Sequence, residues 1–270
     1  MANERWVDEY LDYVKIHEDG DHRVFPYNDP LVKTKKYPEG LPTYEYGITQ
    51  PIRDKYPKSS DESEKDYAAR VLNNEYVSRV KNKIGEETWN RLPDGMKKWT
   101  SDLAWNAGGI SNSISEKITN EDYDGALKTG LEYVIASSRN KDGSKKRTVI
   151  RGLADRVASR HNLAAADPDL QGVKPITSFD VIQKPNNTTS LVYKADGEPY
   201  YAVDKPFKAN KGYTDRTPKN VLQAYPEVSS RYAGETQSMA PGLNAPVNIN
   251  TEPTGLENPF LSVKNWWNSL

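Results

Sequence analysis

The chain has 270 residues, a formal net charge of −1 and no cysteine. There is room for one domain of about 150 to 170 residues plus an appendage, and no disulfide framework, thiolate nucleophile or thiolate metal site. Its three histidines, His17, His22 and His161, lack metal-ligand spacing, so neither a metal nor a cofactor is expected. Acidic and basic residues nearly balance in the first 165 residues and in the remainder. That balance argues against nucleic-acid binding through phosphates, and no apolar run approaches the roughly 18 residues of a membrane span.

Residues 6–18 suit a helix. Trp6, Tyr10, Tyr13 and Val14 recur at spacings of three and four and share a face. Asp19-Gly20 is a stop signal, which leaves Glu18 in the last turn. There the negative end of the helix dipole disfavours a second negative charge, and burial in a cleft would act in the same sense. A carboxylic acid that keeps its proton can donate it to a glycosidic oxygen. Eleven residues on, Asp29 lies in a loop stiffened by Pro26 and Pro30. Two carboxylates in different surroundings are what hydrolysis of a sugar polymer needs. Asp21, three residues from Glu18, ranks below Asp29 because it cannot easily reach the opposite sugar face.

This run resembles the N-terminal signature of phage-type lysozymes (glycoside hydrolase family 24). They carry a helix ending in Glu-Gly, a Tyr-x-Asp loop and a Thr-Ile-Gly-x-Gly-His turn. Glu18, the pair Tyr27 and Asp29, and Thr43 with Gly47 stand in the matching places. Asp19 intervenes before Gly20, Glu45 replaces the first turn glycine and Ile48 replaces the histidine. Tyr-Asn-Asp-Pro and Tyr-Gly-Ile-Thr-Gln also resemble a related muramidase family (glycoside hydrolase family 108) with the same Glu-first layout. The resemblance implies an α+β, mostly α, two-lobed domain over 1–165 with a small β element in residues 38–49. It implies Glu18 as general acid and Asp29 with Thr43 as the pair holding the attacking water. Tyr27 and Gly47 are then expected at the substrate.

Further along, Ser59-Ser60-Asp61-Glu62 offers a capping box opening a long helix with Tyr67, Val71, Tyr76 or Val77, Val80 and Ile84 inward. Residues 86–92 read as a short helix closed by Pro93-Asp94-Gly95. Residues 96–109 form the most apolar helix candidate, with Trp99, Leu103 and Trp105 as core or cleft wall and Gly108-Gly109 as its stop. It resembles the family's central helix. Asn106 is expected near the substrate, because its amide both donates and accepts. A helix start follows at Asn120 to Leu127. Residues 137–146 read as a polar basic loop, and 147–163 as a helix with Val149, Ile150, Leu153, Val157 and Leu163 inward. Arg151 to Arg156 resembles the family's Gly-Leu-x-x-Arg-Arg, which implies that Arg156 ties helices to the acidic Glu18.

From residue 166 the composition changes: eleven of 18 prolines fall there. An extended, loop-rich tail is expected over 166–270, carrying a β-hairpin at 190–203 and an aromatic docking segment at 258–270. Trp266 and Trp267 beside Phe260 are costly to leave in water, so the tail reads as a strap ordered against a neighbour. The N-terminus lacks the basic and apolar regions of a signal peptide. The expected role is a peptidoglycan hydrolase carried in a phage virion, with peptidoglycan as substrate and other virion proteins as partners of the tail. A free endolysin, a lytic transglycosylase and an inactive lysozyme-fold virion part are the alternatives.

Overall fold

A computed structural model describes residues 4–19, 25–29, 34–139, 145–149, 151–183, 189–203 and 208–209. The fold is mostly helical with small sheets. Helix α1 (Arg5–Asp19) buries Trp6, Val7, Tyr10, Leu11, Tyr13 and Val14. This stripe is the spacing of three and four made physical, and each large side chain contributes about 1.5–3 kcal/mol of burial. Gly20, Asp21, His22 and Pro30 lie outside the described residues.

Strand β1 (Tyr27–Asp29) pairs antiparallel with β2 (Leu41–Thr43), setting Tyr27 opposite Thr43 and Asp29 opposite Leu41. The sequence expectation of a loop at Tyr27–Asp29 is thus corrected: it is the partner strand of the small β element. Pro26 precedes the strand and so removes no ladder donor. The pair closes tightly at Gly40, where a Cβ would lie 2.4 Å from the Asp29 carbonyl oxygen.

A 3₁₀ turn (Glu45–Gly47) and the short α2 (Gln50–Lys55) follow. Helix α3 runs Glu64–Val71, and its cap is Ser63, whose hydroxyl accepts from the Asp66 N–H at 3.0 Å. The capping box expected at Ser59–Glu62 does not start the helix. Glu62 accepts from the Ser59 N–H at 3.3 Å and is held by Arg70 at 2.8 Å, so its carboxylate belongs to the turn before the cap. The long helix is also not uniform. Leu72–Val77 forms a π-turn before α4 (Ser78–Ile84). Leu72 and Val77, five residues apart, are both buried. One extra residue per turn reconciles that spacing, which a regular α-helix cannot, and explains why the pattern leaves Tyr76 and Val77 ambiguous.

Helices α5 (Glu86–Arg91), α6 (Asp94–Ala107), α7 (Asn112–Thr119) and α8 (Tyr123–Gly130) complete the main cluster. Trp99, Leu103 and Trp105 of α6 are buried. Strands β3 (Ile135–Arg139) and β4 (Lys145–Val149) then pair antiparallel from Ile135–Val149 to Arg139–Lys145. Within the loop expected over 137–146, residues 137–139 and 145–146 are therefore strand, and 140–144 lie outside the described residues. Val149 belongs to a strand, and α9 spans Arg151–Ala165. The β-branched Thr148 and Val149 suit a strand better than a first helical turn.

Strands β5 (Ser178–Gln183), β6 (Thr189–Ala195) and β7 (Glu198–Val203) form an antiparallel meander, with β6 and β7 joined at Asp196-Gly197. Strand β8 (Lys208–Ala209) lies parallel to β4. Leu191, Tyr193, Phe179 and Val203 share one buried cluster with Ala154, Val157 and Ala158 of α9. Strands β5, β6 and β7 are thus packed on α9 rather than extended as a strap, and the expected boundary at residue 165 falls between halves of one core. The segment 258–270 lies outside the described residues. Asn162 fastens this joint: its amide donates to the Ile176 carbonyl at 2.9 Å and accepts from the Ile176 N–H at 2.7 Å. Asn162→Ala leaves both backbone groups buried without that partner and is expected to cost about 1–3 kcal/mol, read as a lower urea midpoint with unchanged denaturant slope.

Candidate functional site

The site is built on a buried ion cluster. Asp102 projects from α6 and is fully buried. Its carboxylate accepts from Arg156 Nη2 at 2.5 Å, Arg160 Nε at 2.5 Å, Asn106 Nδ2 at 2.9 Å and the Tyr10 hydroxyl at 3.3 Å. Burial pushes its pKa up, but the two guanidiniums outweigh burial and hold it at about 2. Arg156 and Arg160 are one helical turn apart on α9 and so share a face.

Arg156 carries this cluster to Glu18. Its Nη1 lies 3.8 Å from Glu18 Oε1, while its own side chain is 1% exposed and that of Glu18 is 15% exposed. The Asp102, Tyr13 and Glu18 oxygens raise the Arg156 pKa against the effect of burial. The guanidinium thus reaches Glu18 directly while it is engaged by Asp102. With Glu18 ionised, the two carboxylates and two guanidiniums sum to zero charge.

Gly47 packs against the other side of the same carboxylate. It has φ +69°, and a Cβ there would sit 2.6 Å from Glu18 Oε2. Backbone conformation and close approach both require glycine. The neighbouring Tyr46 holds φ 60° although it is not glycine and is buried, a strained conformation of the kind that gathers at functional sites. The turn is pinned by Tyr44 N–H donating to Ile48 O at 2.8 Å and by a bridge between Thr43 and Thr49.

That turn leads directly from β2. Because side chains alternate along a strand, Tyr27 and Asp29 share a face with Thr43 and Leu41, and Asp29 and Thr43 are diagonal neighbours. The fold therefore brings together residues 14 positions apart. Asp29 is 7% and Thr43 2% exposed, and the Thr43 hydroxyl donates to Leu41 O at 3.2 Å. Asn106 also donates to the backbone O of Asp102 at 2.9 Å. Its amide nitrogen thus serves the ion cluster, whereas the sequence places it at the substrate.

Three participants escape sequence reading: Asp102, Arg160 and His17. An aspartate on the most apolar helix, and arginines four apart on another, are the available signals. His17 sits beside Glu18, with its Nε2 3.0 Å from Ser159 Oγ and its ring 4.3 Å from Tyr13. Burial, then the Arg156 charge, lowers its pKa to about 3. Burial likewise lowers His161 to about 4. Among the described residues no group of His, Asp and Glu could hold a metal ion, and no helix is long and apolar enough to cross a membrane. Comparison with protein-family models, curated proteins and solved structures finds no match.

Two outcomes follow. Gly47→Ala combines left-handed strain with the Glu18 contact and is expected to cost about 1–3 kcal/mol, measured by thermal or urea unfolding. The histidines set a pH dependence. Their folded pKa values lie below the unfolded value of about 6.5, so the unfolded chain binds more protons as pH falls. The stability is complete above about pH 6.5 and declines toward pH 4, where His161 titrates, and on toward pH 3 for His17. Urea unfolding across that range should fall less steeply in His17→Gln/His161→Gln.

Proposed function

We propose that the chain is a peptidoglycan hydrolase that cleaves the β-1,4 bond between N-acetylmuramic acid and N-acetylglucosamine, with Glu18 as general acid. The observation that carries this reading is the setting of the Glu18 carboxylate. It ends a helix, has Arg156 Nη1 at 3.8 Å on one side, and has Gly47 pressed on the other. As Glu18 gives its proton to the leaving oxygen, the carboxylate that forms faces a guanidinium already fixed in place. Stabilisation of developing charge by a preorganised group lowers the barrier without reorganisation. Asp29 and Thr43 on the strand pair are assigned to the attacking water, on the opposite sugar face of an inverting mechanism.

The helical portion up to α9 is read as a two-lobed lysozyme-like domain. Its delivery is read as virion-associated, with the residues after 203 meeting other particle proteins. The sequence resemblance to phage-type lysozymes and the neutral charge support that reading. A lytic transglycosylase is the second reading. The burial of Asp29 and Thr43, with the Thr43 hydroxyl bonded to Leu41 O, favours a mechanism in which Glu18 acts alone.

The test is digestion of purified peptidoglycan by the full chain, with products identified by mass spectrometry. Glu18→Gln is expected to lower the rate by about 10²–10⁴-fold, the usual worth of a general acid. Reducing-end muropeptides together with loss of activity in Asp29→Asn support hydrolysis. Anhydro-muramic products that persist in Asp29→Asn identify a transglycosylase. A folded wild type that releases nothing defeats both readings.

A further inference from the structure

The apolar anchor of α1 stops one turn short of the acid. Tyr13 and Val14 are buried, whereas Lys15 and Ile16 are exposed and His17 and Glu18 are half-buried. Burial of large side chains therefore fixes the helix as far as Val14 and does little for the turn that carries Glu18. Helix ends fray, because their last carbonyls lack partners within the helix. A general acid tolerates little of that: a displacement of about 1 Å can cost about 10²-fold in rate.

Side chains of α9 reach that turn instead. Arg156, Ser159 and Arg160 stand at i, i+3 and i+4 and share a face. Arg156 Nη1 meets Glu18, and Ser159 Oγ lies 3.0 Å from His17 Nε2. Ser159 is buried, so water competes little for this bond. A hydroxyl and a neutral imidazole can each donate or accept, so either tautomer of His17 makes it. The ring is neutral at neutral pH, because burial and the Arg156 charge lower its pKa to about 3. Tyr13 braces the same place, its ring 4.3 Å from that of His17 and 5.2 Å from Arg156 Cζ. His17 and Glu18 are consecutive on one helical turn. Whatever fixes the rotation of that turn at His17 also fixes the direction of Glu18.

We infer that His17 and Ser159 are positioning residues for the acid: the bond between them locks the last turn of α1 onto α9 and holds Glu18 against Arg156. The inference rests on the reading of Glu18 as general acid. Both residues act through Glu18 and not on the sugar, so their loss falls on the chemical step and not on substrate binding.

The experiment is steady-state cleavage of soluble glycan strands by the full chain, well below its melting temperature. It compares wild type, Ser159→Ala, His17→Leu, the double variant and His17→Gln, with thermal melting of each. Ser159→Ala and His17→Leu should each lower kcat by about 10- to 100-fold, with KM within about twofold. The double variant should lose no more than either single one, as residues joined in one bond do. His17→Gln, whose amide reaches the place of Nε2, should recover most of kcat. A role confined to stability would lower the melting temperature and leave kcat of the folded enzyme unchanged. That result, or losses that multiply in the double variant, overturns the positioning role and leaves Glu18 as the acid. If Ser159→Ala does not fold, His17→Leu against His17→Gln decides, and equal kcat values overturn it. A folded wild type that cuts no glycan overturns the glycosidase reading and this inference with it.

Discussion

The structure depends on one buried carboxylate. Asp102 sits in the middle of the most apolar helix and is matched by two guanidiniums from α9, an amide from its own helix and a phenol from α1. Removing an ion from water costs several kcal/mol, and only close partners with complete hydrogen bonding offset it. The three helices that meet there cannot slide past one another without leaving a charge unpaired. Arg156 is the shared member, and through it the position of Glu18 is coupled to the packing of α6 against α9.

Around that cluster, two local departures from regular structure shape the surface. The Glu45–Gly47 turn brings backbone so close to Glu18 that no side chain fits at position 47. The π-turn inserts one residue into a helix and lets Leu72 and Val77 both be buried. In both places the local backbone cost is supported by contacts elsewhere: the Tyr44–Ile48 and Thr43–Thr49 links for the first, and the pairing of Glu75 with Lys55 and Arg79 for the second.

The sheet of β5, β6 and β7 covers the far face of α9. Besides the shared apolar cluster and Asn162, Tyr200 donates to Asp124 at 3.2 Å and Tyr201 to Glu132 at 2.9 Å. The helix that supplies Arg156 and Arg160 is therefore held between α6 on one side and this sheet on the other. Prolines after residue 166 pointed the sequence reading toward an extended segment. Pro199 instead stands on the edge strand β7 opposite Lys194, where the register shifts, a position at which a strand tolerates the missing donor.

What the sequence determined alone is what local periodicity and backbone chemistry can encode. The buried stripe of α1, the stop of α6 at Gly108, the turn at Asp196-Gly197 and the place of Glu18 in a last helical turn all follow from residues within a few positions of one another. The strand role of Tyr27–Asp29 was not legible, because a three-residue strand has no period to detect and exists only through its partner at Leu41–Thr43. Nor was the π-turn, which is imposed by packing at both of its ends. The union of Asp102 with Arg156 and Arg160, 54 and 58 residues away, belongs to the tertiary structure. A buried charge is intelligible only with its partners, and chain separation hides which residues those are.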